Sequence, residues 1–169
     1  MRLARATAGL FKPRQTVFLV LSGVAAYLKA CGLRPSPTHL ALFTLSTTLT
    51  VAGTTGVNMY FVRGIDSVME RTRHRYALPL GLVDPDAALA SSLALVAAGL
   101  ALAYYLGPWV LVAGASGFAI DILLYTVLLK RRTPLSVVVG GFAEGMPALG
   151  GWAAARGIDA GGALITLLI

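Results

Sequence analysis

The sequence predicts an all-α protein that crosses a membrane several times. Apolar residues make up 57% of its 169 residues, charged residues only 12%, and the mean hydropathy is +0.78. A water-soluble domain carries about a quarter charged residues. Residues 35–62 and 87–120 contain no Lys, Arg, Asp or Glu. This composition excludes a disordered chain, a coiled coil and a water-soluble globule.

Five complete membrane spans are predicted from the apolar runs. About 20 apolar residues cross a hydrocarbon layer about 30 Å thick as a helix. A sixth run begins near residue 159 and stops at Ile169, so at about 1.5 Å per residue it reaches about half way across. The chain is therefore expected to form one transmembrane domain over residues 1–169, with part of a sixth span. The five complete spans lie near 15–33, 38–58, 86–105, 108–129 and 134–155.

The basic residues predict the orientation in the membrane. If the N-terminus is cytoplasmic, 11 of the 14 Lys and Arg residues lie at inner helix ends. Cytoplasmic segments of multi-pass proteins carry this excess. We therefore expect a cell-membrane protein with a cytoplasmic N-terminus, and no nucleic-acid partner for its net charge of +7. The inner residues are Arg2, Arg5, Lys12, Arg14, Arg63, Arg71, Arg73, Arg75, Lys130, Arg131 and Arg132.

A polar motif follows the second apolar run. Positions 58, 62, 66 and 70 advance about 40° per step at helical pitch, so they stay near one helix face. Asn58, Asp66 and Glu70 on that face can hold Mg²⁺ through oxygen ligands. The arginines that follow suit a diphosphate bridged by such a metal. The alternative is that the basic loops only anchor the inner membrane face, but the specific order of residues argues against it.

Four stretches in order resemble the UbiA-type intramembrane prenyltransferases, most closely the protohaem-farnesylating branch. The resemblance runs from residue 12 to about residue 156. It implies a helical bundle around a central cavity open to the cytoplasm, of which this chain is the N-terminal portion. The first stretch is Lys12-Pro13-Arg14, and the second is the segment 58–75 (the Asn58 motif), which includes Met69 and Arg71-Thr72-Arg73. The third is Tyr125-Thr126 with Lys130-Arg131-Arg132-Thr133-Pro134, and the fourth runs from Gly140-Gly141 through Pro147 to Gly151-Trp152-Ala153-Ala154.

The resemblance implies transfer of a farnesyl group from farnesyl diphosphate to a vinyl group of haem B, which gives haem O. Mg²⁺-assisted loss of diphosphate would precede capture of the farnesyl cation by the vinyl group, with addition of water. Asn58 and Asp66 would sit at the metal, and Tyr125 would line the cavity near the reacting carbon. The substrate-binding residues would be Arg14, Arg71, Arg73, Lys130 and Arg131.

The sequence departs from the family pattern at Val62 and Gly64, where carboxylates usually stand. Only Asp66 of the expected three is present, and a valine cannot bind Mg²⁺. Glu70 either replaces a lost ligand or pairs with a neighbouring basic side chain at the surface. The family's second aspartate-rich motif lies beyond the sixth helix. Three explanations are open, namely a fragment of a longer protein, a degenerate paralogue, or two short chains that assemble one cavity.

The expected partners are farnesyl diphosphate, haem B and the lipid bilayer, with a second copy or a completing C-terminal portion. Two other functions remain as alternatives. One is prenyl transfer to a quinone or a glycerophosphate lipid, and the other is a non-catalytic protein that binds haem or a partner subunit. The signatures at 130–134 and 151–154 favour haem, whereas the residues at 62 and 64 favour the non-catalytic protein.

Two carboxylates lie deep within predicted spans. Asp121 is nine residues before Lys130 and Glu144 is ten after Pro134, so both sit about 13–15 Å from the inner helix ends. Ionisable groups at that depth usually face a polar cavity. Either the two face each other there, sharing a proton or helping to bind a cation or substrate, or each is protonated and bonded to its own helix backbone. Neither is an expected carboxylate of the family.

Overall fold

Five helices make up the part of the fold that the structure describes. The computed structural model describes residues 10–32, 34–68, 70, 78, 83–130, 132–157 and 159, and only the backbone of 65–68. Over these residues the all-α prediction is confirmed, since they contain no strand. The helices are α1 (Pro13–Ala30), α2 (Pro37–Val68), α3 (Pro85–Leu106), α4 (Pro108–Ala119), which runs directly into a π-helical segment (Ile120–Leu129), and α5 (Ser136–Arg156).

Breaker residues set the helix starts. Proline suits the first helical position because its missing N–H has no acceptor there and its φ is already helical. Asp84 caps α3, since its side chain accepts a hydrogen bond from the Ala87 N–H at 2.8 Å. Gly107 turns the chain between α3 and α4 with φ at 148°, which favours glycine. The helix-starting prolines are Pro13, Pro37, Pro85 and Pro108.

Three of the described helices are long and apolar enough to cross a membrane, namely Pro37–Gly64, Pro85–Leu106 and Pro108–Leu129. The expected five complete spans are therefore not all supported by this measure. Helices α1 and α5 do form where spans 15–33 and 134–155 were predicted. Their polar side chains and glycines lower their mean hydropathy.

Helix α2 continues beyond its predicted end at residue 58 to Val68. Its 32 residues measure about 48 Å, whereas the hydrocarbon core is about 30 Å thick. The apolar run stops at the first charge, but a helix stops only where its backbone hydrogen bonds stop. Position 66, which lies beyond the predicted span, is therefore part of the same helix.

Small residues bring the helices into close contact. A Cβ atom on Gly53 of α2 would lie 2.6 Å from the Ser92 carbonyl oxygen of α3. In the same interface the Ser46 hydroxyl donates to the Gly99 carbonyl oxygen at 2.8 Å. A Cβ atom on Gly23 of α1 would lie 2.8 Å from the carbonyl oxygen of Pro147 in α5. Such contacts are typical of helix packing in membranes.

An apolar cluster lies toward one end of the bundle. Tyr27, Phe43, Ala103 and Val110 are buried together there, and the Tyr27 hydroxyl lies 3.1 Å from His39 Nδ1. The start of α1, the end of the π-helical segment and the start of α5 meet at the opposite end. At that end a second apolar cluster of Leu10, Met59, Leu78 and Ala88 is also buried, so both ends of the bundle carry apolar packing.

Candidate active site

A polar cavity of about 360 Å³ lies at the end opposite the apolar cluster. Helices α1, α2 and α5 and the π-helical segment all contribute to its walls. Two lysines and two carboxylates give it a balanced set of charges. The lining residues are Lys12, Gln15, Thr55, Asn58, Asp121, Tyr125, Lys130, Val137, Gly140, Gly141 and Glu144.

A narrower cavity of about 80 Å³ adjoins the polar one and reaches Phe43 and Val110 of the apolar cluster. Its remaining walls are mostly apolar, with threonines of α2 along one side. Thr50 and Thr54 both line it and donate to the carbonyl oxygens four residues earlier in their own helix. The residues shared by both cavities are Gln15, Thr55, Asp121 and Glu144.

The Asn58 side chain is locked in one orientation. Its Nδ2 donates to Thr126 Oγ1 at 2.6 Å, and that hydroxyl donates to the Asp121 carbonyl oxygen at 2.7 Å. Because the hydroxyl has one hydrogen, which goes to Asp121, it must accept from the amide nitrogen of Asn58. Asn58 is only 5% exposed, and its Oδ1 has no hydrogen-bond partner within the described part of the chain. A ligand can therefore use this oxygen.

The π-helical segment brings four residues of the site to one face. In a π-helix the residue five positions ahead lies one turn on, whereas in an α-helix it lies about 140° around the axis. Accordingly the Lys130 N–H donates to the Tyr125 carbonyl oxygen at 2.8 Å, and Lys130 Nζ lies 5.2 Å from the centre of the Tyr125 ring. Thr126 and Asp121 form the second such pair.

Asp121 and Glu144 line the same two cavities, as one of the sequence interpretations proposed. Glu144 Oε1 accepts a hydrogen bond from Gln15 Nε2 at 2.9 Å, so its partner lies on α1 and not on its own backbone. Asp121 interacts electrostatically with Glu144 and with Lys12 and Lys130. Charged side chains from the start of α1, from the π-helical segment and its end, and from α5 therefore lie in the same cavity.

The structure separates the residues of the Asn58 motif along α2. Positions 58 and 66 both lie on this helix, and eight residues correspond to about 12 Å. Val62 between them is buried in the protein. The expectation that Glu70 continues the helical face of Asp66 is wrong, because α2 ends at Val68 and the exposed Glu70 lies beyond it. Within the described residues, no group of three His, Cys, Asp or Glu side chains could hold a metal.

The other predicted site residues divide into three groups. Lys130 and Tyr125 line the polar cavity, whereas Arg14 is exposed in the first turn of α1. Arg71, Arg73 and Arg131 lie outside the described residues. Asn58, Tyr125 and Lys130, which come from distant parts of the sequence, therefore meet in one cavity.

Sequence reasoning missed Gln15 as part of the site. Gln15 follows Lys12 by three residues, so both occupy one face at the start of α1, and both line the polar cavity. An amide at the start of a predicted span is itself a signal, because polar side chains within a membrane usually face a cavity. Lys12 also has the positive φ of 39° that ends the preceding turn and starts α1.

Sequence comparison identifies close relatives. Residues 17–169 match the profile of the UbiA prenyltransferase family. A protoheme IX farnesyltransferase of Thermofilum pendens is 55% identical over 161 residues, which cover 95% of this chain and 56% of that protein. One of Aeropyrum pernix is 46% identical over 166 residues, covering 98% of this chain and 54% of the relative. The chain thus spans just over half the length of these curated relatives.

Two solved structures share the fold. A digeranylgeranylglyceryl phosphate synthase superposes with a TM-score of 0.87 at 19% identity, over 99% of this chain and 58% of the other. A UbiA homologue from Archaeoglobus fulgidus, solved with DMAPP and Mg²⁺, gives a TM-score of 0.75 at 18% identity, over 96% and 59%. Together with the sequence relatives and the helical bundle, the profile match shows that this chain belongs to the UbiA prenyltransferase family.

Proposed function

We propose that this protein is a protohaem IX farnesyltransferase of the cell membrane, which transfers farnesyl from farnesyl diphosphate to a vinyl group of haem B and forms haem O. The observation that carries the proposal is the 55% identity to a relative of that name over 95% of the chain. The cavities support it, because a polar chamber adjoining an apolar one suits a diphosphate with an isoprenoid tail. In this proposal residues 1–169 form one domain with a cytoplasmic N-terminus.

The cavity fits an oxygen-liganded cation at Asn58. Its Oδ1 is buried, held in place through Thr126, and has no partner among the described side chains. Mg²⁺, when bound with the diphosphate, neutralises the charge of the departing group. Asp66 lies about 12 Å further along α2, too far for one ion with ligand distances of about 2.1 Å to bind both short side chains. Asn58 and Asp66 are therefore assigned to different parts of the metal–diphosphate complex, with Glu70 beyond them.

Cationic side chains bind the diphosphate in this proposal. Lys130 lines the polar cavity and lies beside the Tyr125 ring, and Lys12 lines the same cavity. Tyr125 can stabilise an allylic cation through the face of its ring once the C–O bond ionises. The remaining diphosphate contacts are assigned to Arg14, Arg71, Arg73 and Arg131.

A second candidate, a non-catalytic haem-binding protein, is favoured by one observation. Val62 is buried in the core, so the position one turn beyond Asn58 offers no ligand to a metal. Prenyl transfer to another acceptor is the further alternative within the same fold. Both make different predictions for the product of the reaction.

The test uses membranes that contain the complete product of the gene, supplied with haem B, farnesyl diphosphate and Mg²⁺. The proposal expects haem O, detected by its mass, and at least a hundredfold loss in the Asp66→Asn variant. Asp86→Asn, an exposed carboxylate at the start of α3, is the matched control and should retain full activity. Prenylated quinone or lipid in place of haem O would establish another acceptor. Haem binding without any prenylated product would establish the non-catalytic protein.

A further inference from the structure

The polar and apolar cavities meet at a carboxylate pair. Gln15, Thr55, Asp121 and Glu144 line both cavities, whereas Lys12, Asn58, Tyr125 and Lys130 line only the polar one. We propose that Glu144, oriented by Gln15, is the general base that accepts the proton of the water added to the acceptor, with Asp121 as its electrostatic partner. This inference rests on the proposed function and assigns a further catalytic residue to it.

The chemistry of the two cavity walls indicates which part of the substrate lies beside Asp121 and Glu144. A diphosphate belongs in the polar cavity with its lysines, and an isoprenoid chain belongs in the apolar cavity that reaches Phe43 and Val110. The carbon that joins the two parts of the substrate then lies at the junction, beside Asp121 and Glu144. Carboxylates at that point are near the carbocations of the reaction and stabilise them electrostatically.

The side-chain oxygen of Asn58 in the same cavity indicates that the cavity receives a further ligand. Asn58 is 5% exposed, and its Oδ1 has no hydrogen-bond partner in the described part of the chain. Such a buried acceptor costs free energy unless something donates to it or binds it. The polar cavity of about 360 Å³, which Asn58 lines, has room for water as well as for the head of a substrate.

Among the described residues that line the cavity, only the carboxylates can act as the base. The described charged and phenolic groups that share the cavity with Glu144 are Lys12 just before α1, Asp121 and Tyr125 of the π-helical segment, and Lys130 just after it. Lysines are protonated donors, the amides are not bases, and phenol and hydroxyl groups hold their protons at neutral pH. Carboxylates are established general bases and contribute about 10²- to 10⁴-fold to a rate.

Glu144 is the better placed of the two carboxylates. Gln15 Nε2 donates to its Oε1 at 2.9 Å, which fixes the carboxylate and leaves the second oxygen for water. Asp121 supplies a second negative charge in the same cavity, and it interacts electrostatically with Glu144. Gln15 is a positioning residue, since it acts through Glu144.

The step balances without any oxidant or reductant. The farnesyl C–O bond breaks and its electron pair leaves with the diphosphate, while the vinyl π electrons form the new C–C bond. The cation left on the former vinyl carbon takes an electron pair from the oxygen of water. One proton of that water passes to the Glu144 carboxylate and is later released to the polar cavity.

The test measures haem O and diphosphate separately in the complete, purified protein as a function of pH. Glu144→Gln should lower kcat for haem O at least a hundredfold with KM for farnesyl diphosphate unchanged. The rise of kcat with pH that a base produces should disappear, and more diphosphate than haem O should be released. Gln15→Ala should keep the pH-dependent rise at a lower kcat. Asp86→Asn should behave as the unaltered protein.

The Glu144→Asp variant separates loss of the base from loss of folding, because it keeps a carboxylate on a shorter side chain. It should retain the pH-dependent rise with a reduced kcat. Haem O formation by Glu144→Gln within threefold of normal, or an unchanged pH profile, would overturn the inference. A raised KM with normal kcat would also overturn it, since Glu144 would then only bind substrate. An unaltered protein that forms no haem O would instead refute the proposed function itself, and this inference with it.

Discussion

Replacing Thr126 with valine tests whether the Thr126 hydroxyl holds the Asn58 side chain in its orientation. The substitution keeps the shape of the side chain but removes the hydroxyl that accepts from Asn58 Nδ2 at 2.6 Å and donates to the Asp121 carbonyl oxygen at 2.7 Å. It leaves a buried amide without its partner, which costs about 1–3 kcal/mol in soluble proteins. Hydrogen bonds between membrane helices are worth less, about 0.6 and at most about 1.7 kcal/mol. We therefore expect the free energy of unfolding to fall by about 1–2 kcal/mol.

The measurement is reversible unfolding in mixed detergent micelles, as a double-mutant cycle of Thr126→Val with Asn58→Ala. A coupling of about 1 kcal/mol is expected, because each single change removes the same contact. Thr48→Val is the control, since the Thr48 hydroxyl donates only to the Thr44 carbonyl oxygen of its own helix. Additive effects in the cycle, or equal losses for Thr48→Val and Thr126→Val, would refute the interpretation that Asn58 is held by Thr126.

Three further predictions concern packing, substrate binding and the metal. Gly53→Ala should destabilise the protein by about 1–3 kcal/mol in the same unfolding assay, because its Cβ would lie 2.6 Å from a backbone oxygen of α3. Gly64→Ala, where a Cβ would meet no atom of the described residues within 4 Å, should not. Lys130→Met should weaken binding of farnesyl diphosphate at least tenfold by titration calorimetry, and an unchanged affinity would contradict the proposed role. Chelation should abolish haem O formation and Mg²⁺ should restore it, with Asp66→Asn requiring more Mg²⁺ than the unaltered protein.

The length of α2 bears on where the chemistry takes place. If the helix stands upright, about 18 Å of its length lies outside the hydrocarbon core. Position 66 lies in the part of α2 beyond the predicted span, whereas Asn58 lines the polar cavity. In the proposed function, a charged diphosphate would reach the site from the aqueous side while its isoprenoid tail stayed among apolar side chains.

Much of the candidate site could be predicted from the sequence. Asn58, Tyr125 and Lys130 were selected from ordered motifs, and all three line the polar cavity. The depth of Asp121 and Glu144 in apolar spans indicated a polar cavity, because charges at that depth need one. The position of Glu70 could not be predicted, since counting at helical pitch assumes that the helix continues, and α2 ends at Val68.

The sequence by itself determined the helices, because each apolar run must satisfy its backbone hydrogen bonds internally within a membrane, and proline and glycine mark where each run begins or turns. Only the tertiary structure decided which side chains meet. The contact of Asn58 with Thr126 joins residues 68 apart, and that of Gln15 with Glu144 joins residues 129 apart. The contact of Gln15 with Glu144 joins α1 to α5, which pack closely at Gly23. The contact of Asn58 with Thr126 depends on the π-helical turn, whose geometry a repeat of 3.6 residues does not anticipate.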